Sequence, residues 1–185
     1  MAERFPALTA EHRDFIARQH IFFTATAADD SRINLSPKGL GGFRVLSDNA
    51  VAYLDLTGSG AEAAAHLRAD GRMTIMFCAF EGPALILRLY GRGRALPRGG
   101  ADYAALLGAH FAGEEPMGAR QIVALDIDLV QTSCGWGVPN YEFKHERAAL
   151  TRWAQKLGED GLDEYRAKKN ARSLDGLPTG LVDAG

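Results

Sequence analysis

Short runs of β-branched and aromatic residues recur through residues 21–130 and predict β-strands. Residues 73–80 are apolar throughout, which predicts a strand buried on both faces. Only Glu81, Gly82 and Pro83 separate this run from a long strand predicted at 84–96. The two strands are expected to be antiparallel, because a parallel crossover needs about a dozen residues or more. Further strands are predicted at 21–27, 32–36, 43–46, 51–56 and 121–130.

Apolar residues at helical spacing predict helices between and after these strands. Leu150, Trp153, Ala154 and Leu157 follow an i, i+3, i+4, i+7 pattern, which predicts a helix over 145–157 that ends at Gly158. Other helices are predicted at 9–20, 61–69, 101–111 and 162–169. This order of elements predicts a mainly β (α+β) fold, a small antiparallel barrel of about six strands with peripheral helices.

Composition narrows the class of protein. The 185 residues, 46% of them hydrophobic, predict one domain over 1–185 with a C-terminal helical extension from about 145. A net charge of −2 argues against a nucleic-acid partner. Only two cysteines occur, and no run approaches the ~20 apolar residues of a membrane span, so a cytoplasmic location is expected. The histidines are scattered without metal-ligand spacing, which argues against a metal site.

A glycine-rich segment after the strand at 51–56 has three readings. Gly58-Ser59-Gly60-Ala61-Glu62-Ala63 matches the G-x-G-x-x-G/A pattern of dinucleotide sites and opens a helix. The predicted hairpin after Phe80 argues against a nicotinamide site, since a doubly wound sheet needs a helical crossover there. The segment is then either a plain helix entry or a resting place for a mononucleotide phosphate on the amides of residues 59–61.

Three other segments carry candidate binding residues. Arg88 shares one strand face with Tyr90, Arg92 and Arg94. This face is either the solvated exterior of the barrel or a surface that places Arg88 near a phosphate. In the segment 34–39, Pro37 ends ladder pairing, so the freed amides and Lys38 face either solvent or a bound anionic ring. The loop at 134–141 contains two glycines, a proline and two aromatic residues, and three interpretations of its Trp136 are open: a core residue, an aromatic wall for a flat ligand, or a subunit contact.

Taken together, the segments resemble the pyridoxamine 5′-phosphate oxidase-like family of FMN-binding split barrels. The resemblance is carried by Phe23-Thr24-Ala25-Thr26, Asn34-Leu35-Ser36-Pro37-Lys38-Gly39, Leu54-Asp55-Leu56-Thr57-Gly58-Ser59-Gly60, Ala65-His66-Leu67, Arg88-Leu89-Tyr90-Gly91-Arg92-Gly93 and Ser133-Cys134-Gly135-Trp136-Gly137-Val138-Pro139. It implies a split barrel that forms a homodimer, with FMN in a cleft between the subunits. The cofactor-binding residues implied are Asn34, Leu35, Ser36 and Lys38 at the flavin, Asp55, Thr57, Ser59 and Gly60 at its tail and phosphate, and Trp136 closing the pocket across the dimer.

Two adjacent positions depart from the family pattern, and they change what is expected at the phosphate end of the site. Glu62 and Ala63 stand where the oxidases proper carry adjacent basic residues for the FMN phosphate, so that charge is expected from Arg88 or Arg44. The resemblance implies an FMN-dependent oxidoreductase acting on an unidentified small molecule, with no catalytic acid or base marked by the sequence. The alternatives are a non-enzymatic flavin-binding or dimeric scaffold protein, and a deazaflavin-dependent reductase.

Overall fold

A computed structural model of the chain describes residues 2–182, which contain eight β-strands and four α-helices. The strands are β1 (Glu3–Phe5), β2 (Phe22–Thr26), β3 (Asn34–Lys38), β4 (Phe43–Ser47), β5 (Ala50–Leu56), β6 (Arg72–Cys78), β7 (Ile86–Pro97) and β8 (Ala119–Ser133). The helices are α1 (Ala10–Ala17), α2 (Glu62–Ala69), α3 (Ala101–His110) and α4 (Ala149–Lys169).

The strands form one antiparallel sheet in the order β3-β2-β6-β7-β8-β5-β4, with β1 added alongside β8. The ladder is open, and β3 and β4 are its two ends. The predicted mainly β antiparallel fold is therefore confirmed, with eight strands instead of about six. The sequence did not predict β1, because its three residues are too few to show a strand pattern. Pro37 was expected to end β3, but β3 extends through it to Lys38; an edge strand tolerates a proline, since one side of it has no ladder partner.

The main core is built mostly from side chains of the sheet, with Leu8, Phe15 and Ile16 packed beside them. Its largest fully buried side chains come from four neighbouring strands. They include Tyr53, Ile75, Phe77, Leu87, Leu89 and Leu125. A second, smaller cluster lies under α3 and joins Tyr103 and Phe111 to Ile122.

The run 73–80 was expected to be buried on both faces, but burial alternates along β6. Ile75 and Phe77 are buried in the core, whereas Thr74 and Met76 on the other face are only half-buried.

The C-terminal helix is bent at the glycine that the sequence marked as a helix end. Gly158 has φ 67° and ψ 179° inside α4, so two helical segments meet there at a kink. The first segment begins at Ala149, four residues later than expected from the predicted start at 145. The second segment buries Leu162 and Arg166 against the sheet. Within the described range, no helix has the length and apolar character that crossing a membrane requires.

Candidate functional site

A cavity of about 630 Å³ lies between β3, β5 and the beginning of α2, and we call it the β3–β5 cavity. Polar side chains of β3 and β5 form one part of its lining, which we call the polar wall, and apolar side chains of β2, β5 and α4 form another part. Its lining includes Asn34, Ser36, Lys38 and Asp55 on the polar side, and Phe22, Leu54, Leu56 and Leu150 on the apolar side. Glu62, Arg120 and Glu146 are the other charged residues of the lining.

Strand alternation explains which residues of β3 face the cavity. Asn34, Ser36 and Lys38 are half-buried and point to the same side, since successive side chains of a strand alternate between its faces. Leu35 lies on the other face, 66% exposed, and does not line the cavity. The edge strand thus presents an amide, a hydroxyl and an ammonium group in a row along one wall.

Asp55 is the centre of a buried charge network behind this wall. One carboxylate oxygen accepts from Lys38 Nζ at 2.6 Å, and the other accepts from Arg120 Nε and Gln121 Nε2, both at 2.8 Å. Burial works against the charged carboxylate. The attraction of Lys38 and Arg120, with the hydrogen bonds from Lys38 and Gln121, outweighs it and lowers the pKa of Asp55 to about 2. Asp55 therefore carries a negative charge that holds both cations in place.

The C-terminal helix fixes the glycine-rich segment next to the cavity. Arg166 Nε donates to Thr57 Oγ1 at 2.9 Å, and the other end of its guanidinium donates to the Ala119 carbonyl at 3.1 Å. Asn170 Nδ2 donates to the Gly58 carbonyl at 3.0 Å, while its Oδ1 accepts from Arg120 at 3.1 Å. The Thr57 side chain and the Gly58 carbonyl are thus held by Arg166 of α4 and by Asn170, the residue that follows α4.

The sequence-based interpretation missed Arg120, Gln121, Arg166 and Asn170. A signal for the first two was present, because polar residues interrupt an otherwise apolar strand where each needs a buried partner. For Arg166 and Asn170 no local pattern distinguishes them from the solvated residues of α4.

Glu62, at the beginning of α2, is engaged by the segment that follows α4. Its Oε1 accepts from the backbone N–H of Leu174 at 3.2 Å. The neighbouring Asp175 accepts from the backbone N–H of Arg32 at 2.8 Å and forms an ion pair with the Arg32 guanidinium. A carboxylate that was expected to disturb a phosphate site therefore has a structural partner in its own chain.

Half of the predicted cofactor-binding residues line the β3–β5 cavity: Asn34, Ser36, Lys38, Asp55 and Gly60. Leu35, Thr57, Ser59, Arg88 and Trp136 do not. Arg88 instead donates to Ser133 Oγ at 3.0 Å on β8, and Trp136 is 85% exposed. Arg44, the second predicted source of phosphate charge, donates to the His110 carbonyl at 3.0 Å and lies over the Phe111 ring. Within one chain, neither of these arginines reaches the cavity.

A second cavity of about 1120 Å³ adjoins the first. The two share the turn at residues 37–40 and the side chains of Glu146 and Leu150. Its walls are mainly apolar and aromatic and come from α1, the β6–β7 connection and the segment before α4. His20 and Phe143 stack in parallel at one side of it, with ring centroids 3.7 Å apart. A molecule in the larger cavity can thus approach one in the smaller.

Comparison with known proteins identifies the family. The family model described as pyridoxamine 5′-phosphate oxidase matches residues 8–134. A pyridoxamine 5′-phosphate oxidase family protein of Aspergillus flavus, ustO, is 38% identical over 190 residues, which cover 94% of this chain and 76% of that protein.

Solved structures share the fold at lower sequence identity. HupZ of Group A Streptococcus superposes with a TM-score of 0.53 at 21% identity, over 66% of this chain and 91% of HupZ. A candidate pyridoxamine 5′-phosphate oxidase of Lactobacillus delbrueckii gives a TM-score of 0.52 at 16% identity, over 68% and 94% of the two chains. The family match over most of the strands, the extended similarity to the fungal protein and the shared fold lead to one conclusion: the chain belongs to the pyridoxamine 5′-phosphate oxidase family.

Proposed function

We propose that this protein binds FMN in the β3–β5 cavity and is a flavin-dependent oxidoreductase acting on a small molecule. The observation that carries the proposal is the pairing of walls in that cavity. Asn34, Ser36 and Lys38 form a polar edge, and Leu54 and Leu150 belong to the apolar lining. A flavin ring has apolar faces and a rim of carbonyl and nitrogen acceptors, so the donors and the apolar walls fit it.

The positive charges that would bind the phosphate of FMN are already paired within the chain. Among residues 2–182, the cations that line the cavity are Lys38 and Arg120, and both pair with Asp55. Glu62 and Glu146 add two further negative charges. We therefore assign the phosphate to the backbone amides at the beginning of α2, close to the point where Arg120 reaches the Gly58 carbonyl at 3.5 Å.

The chemistry would be divided between the cofactor and the chain. A bound flavin supplies electron and hydride transfer, and the protein supplies position, electrostatics and exclusion of water. Lys38 places a cation at the polar edge, and Asp55 holds that cation in place. We assign the larger adjoining cavity to the substrate, because its apolar walls open onto the same turn at residues 37–40.

We further propose that the active form is a cytoplasmic homodimer. Large apolar side chains stand exposed near the cavity strand and in the loop after β8: Ile33 is 78% exposed, Leu35 66% and Trp136 85%. A second subunit that covers them would also enclose a ligand that lies in an open cavity of one chain. Both cysteines are free, which agrees with a reducing compartment.

The first test is a flavin titration of a matched pair of variants. Ser36→Phe fills the cavity wall, whereas Ser47→Phe makes the same change at an exposed position at the end of β4. We expect wild type and Ser47→Phe to bind FMN with similar dissociation constants, and Ser36→Phe to lose at least about tenfold in affinity, or 1.4 kcal/mol. Visible absorbance and quenching of flavin fluorescence measure binding, and sedimentation equilibrium of the same samples measures the oligomeric state.

The outcomes separate the competing functions. A wild-type protein that ignores FMN and riboflavin would overturn the flavin proposal, and a flavin-free dimer would favour a scaffold. Equal affinity in all three proteins would place the flavin outside the β3–β5 cavity. A mass equal to one chain, with flavin bound, would remove the dimer from the proposal.

Glu62→Gln tests the phosphate end of the site. The glutamine keeps a carbonyl oxygen that can accept from Leu174, so the chain segment it holds stays in place while the negative charge is removed. We expect FMN to bind about three- to tenfold more tightly, since partly exposed charge pairs contribute on the order of 1 kcal/mol. Riboflavin lacks the phosphate, so its affinity should stay unchanged.

The control for that prediction is Glu164→Gln, the same change at an exposed position of α4 away from the cavity. It should alter neither affinity. If Glu62→Gln tightened both ligands equally, the charge would act on the ring or on the fold, and the phosphate would need another site.

A further inference from the structure

A hydrogen-bonded chain leads from a buried histidine to the wall of the β3–β5 cavity. Thr26 and Asn34 are direct partners across β2 and β3, and Asn34 Nδ2 donates to Thr26 Oγ1 at 3.1 Å. Thr26 Oγ1 lies 3.1 Å from His66 Nδ1, on α2. At the other end, Ser36 Oγ donates to Asn34 Oδ1 at 2.9 Å. The chain therefore ends on two residues that line the cavity.

The inner half of this chain is fully enclosed. His66 is 0% exposed and Thr26 is 2% exposed. Within residues 2–182, His66 Nε2 has no hydrogen-bond partner, although an unpaired polar atom in such a place is costly. A buried imidazole that makes one hydrogen bond, to a threonine that faces a binding-site amide, calls for an explanation beyond packing.

Counting donors and acceptors sets the direction of the chain. If the Thr26 hydroxyl donates to His66 Nδ1, the imidazole carries its proton on Nε2, and Nε2–H is the one unpaired group. With the Asn34 nitrogen turned toward Thr26, as the structure has it, donation by His66 Nδ1 would instead leave both Nε2 and the Thr26 hydroxyl proton unpaired among the described residues. The first arrangement leaves fewer buried groups unsatisfied and is therefore favoured.

This direction and the orientation of the Asn34 amide depend on each other, because a flipped amide would let Thr26 donate to Asn34 and would put the histidine proton on Nδ1. With its proton given to His66, Thr26 Oγ1 can only accept, so the Asn34 side chain must turn its nitrogen toward Thr26 and its oxygen toward Ser36. A side-chain amide is nearly symmetric in shape, so packing alone would not choose between its two orientations. The second hydrogen on Nδ2 then remains as a donor for a ligand.

We propose that Thr26 and His66 are positioning residues that lock the Asn34 amide with its N–H group available to an acceptor atom of the ligand, such as a carbonyl oxygen or ring nitrogen. The inference rests on the proposed flavin site. There, a fixed donor at the polar edge of the ring would favour the reduced, more electron-rich ring and raise its reduction potential.

The variants that test the proposal are Thr26→Val, Thr26→Ser and Ser36→Ala. Valine keeps the shape of threonine and removes both hydrogen bonds, whereas serine keeps the hydroxyl. We expect Thr26→Val to weaken FMN and riboflavin equally, by about five- to tenfold as for loss of one hydrogen bond to a ligand, and to lower the potential of the bound flavin. Thr26→Ser should stay close to wild type in both measurements.

A second measurement needs no flavin. In the wild type, ¹⁵N chemical shifts of the His66 ring should show an unprotonated Nδ1 and a protonated Nε2, and Thr26→Val should change the Nδ1 shift. If Thr26→Val does not fold, Ser36→Ala and the ring shifts still decide the matter. Ser36→Ala should lower affinity for both flavins and leave the His66 ring unchanged.

The combined variant distinguishes positioning from simple loss of stability. If both changes act through Asn34, the effect of Ser36→Ala on flavin affinity should be smaller in the Thr26→Val background than in the wild type. Additive losses, a protonated Nδ1, or an unchanged potential in Thr26→Val would overturn the positioning role. A wild type without flavin affinity would instead overturn the proposed function and leave the tautomer measurement standing.

Discussion

Asp55→Asn is expected to lower the free energy of unfolding by about 3 kcal/mol, because it breaks a buried ion pair by removing one partner. Asp55 accepts from Lys38 at 2.6 Å and from Arg120 at 2.8 Å, and its side chain is 4% exposed. An asparagine has nearly the same shape but leaves both cations without a counter-charge. The same change should loosen the polar edge of the β3–β5 cavity, since Lys38 would lose the group that orients it.

Urea unfolding at equal protein concentration measures this loss, with Asp126→Asn as the control. Asp126 also faces an arginine, Arg94, at 3.4 Å, but both side chains are more than half exposed. An exposed pair of this kind contributes on the order of 0–1 kcal/mol, so the control should unfold almost like the wild type. Equal behaviour of the two variants would show that the Asp55 network does not stabilise the fold.

The lowered pKa of Asp55 also predicts how the stability of the protein changes with pH. The folded protein holds the pKa of Asp55 at about 2, below its ordinary value of 3.8. Its stabilisation is therefore complete above the ordinary pKa and is lost as the pH falls through the folded value. Wild type should lose stability between roughly pH 5 and pH 2, and Asp55→Asn should show a smaller loss over that window.

The strand pairings near the middle of the sheet followed from local rules. The short connection at residues 81–83 requires an antiparallel partner for β6, and the observed register from Arg72–Arg92 to Cys78–Ile86 is that pairing. The spacing of Leu150, Trp153 and Ala154 likewise predicted the first part of α4, and Gly158 marks its kink. Each of these features depends on residues close together in the sequence, where periodicity and turn chemistry are informative.

The residues of the candidate site were expected from the family resemblance, and five of them, Asn34, Ser36, Lys38, Asp55 and Gly60, line the cavity. Strand alternation explains why Asn34, Ser36 and Lys38 share a face and Leu35 does not. The groups that hold residues 55–58 come from far along the chain, 65 residues away for Arg120 and 112 for Asn170. A polar residue in an apolar strand, such as Arg120, signals that a buried partner exists, but no local pattern says which one, because only the fold brings the charge or carbonyl to it.

Arg88 illustrates what strand alternation leaves open. Its position on a polar strand face suggested a phosphate ligand, whereas within this chain its guanidinium donates to Ser133 at the end of the neighbouring strand β8. Strand alternation assigns a side chain to a face, whereas the order of the strands in the sheet decides which neighbouring side chains it can contact. The order places β6 and β2 between Arg88 and the cavity strand β3.

Gly91→Ala is the second change for which we expect a large effect, a loss of about 3 kcal/mol or more in the free energy of unfolding. The β7–β8 register shifts at this point, so that Tyr90 pairs with Leu129 and Gly91 with Ile127. This bulge brings the backbone of the two strands so close that a Cβ on Gly91 would overlap the carbonyl oxygen of Asp126. The obstacle is backbone, so a side-chain rotation cannot relieve it, and the two longest strands of the sheet must shift instead.

Gly108→Ala is the matched control, since it makes the same substitution inside α3, where an added Cβ meets nothing within 4 Å. There the methyl group reduces backbone freedom in the unfolded chain and should stabilise the protein by about 0.5–1 kcal/mol. Urea unfolding of both variants should therefore move the midpoint in opposite directions. A Gly91→Ala protein as stable as the wild type would mean that the β7–β8 bulge can be rearranged at little cost, and that the close approach at Asp126 does not constrain the sheet.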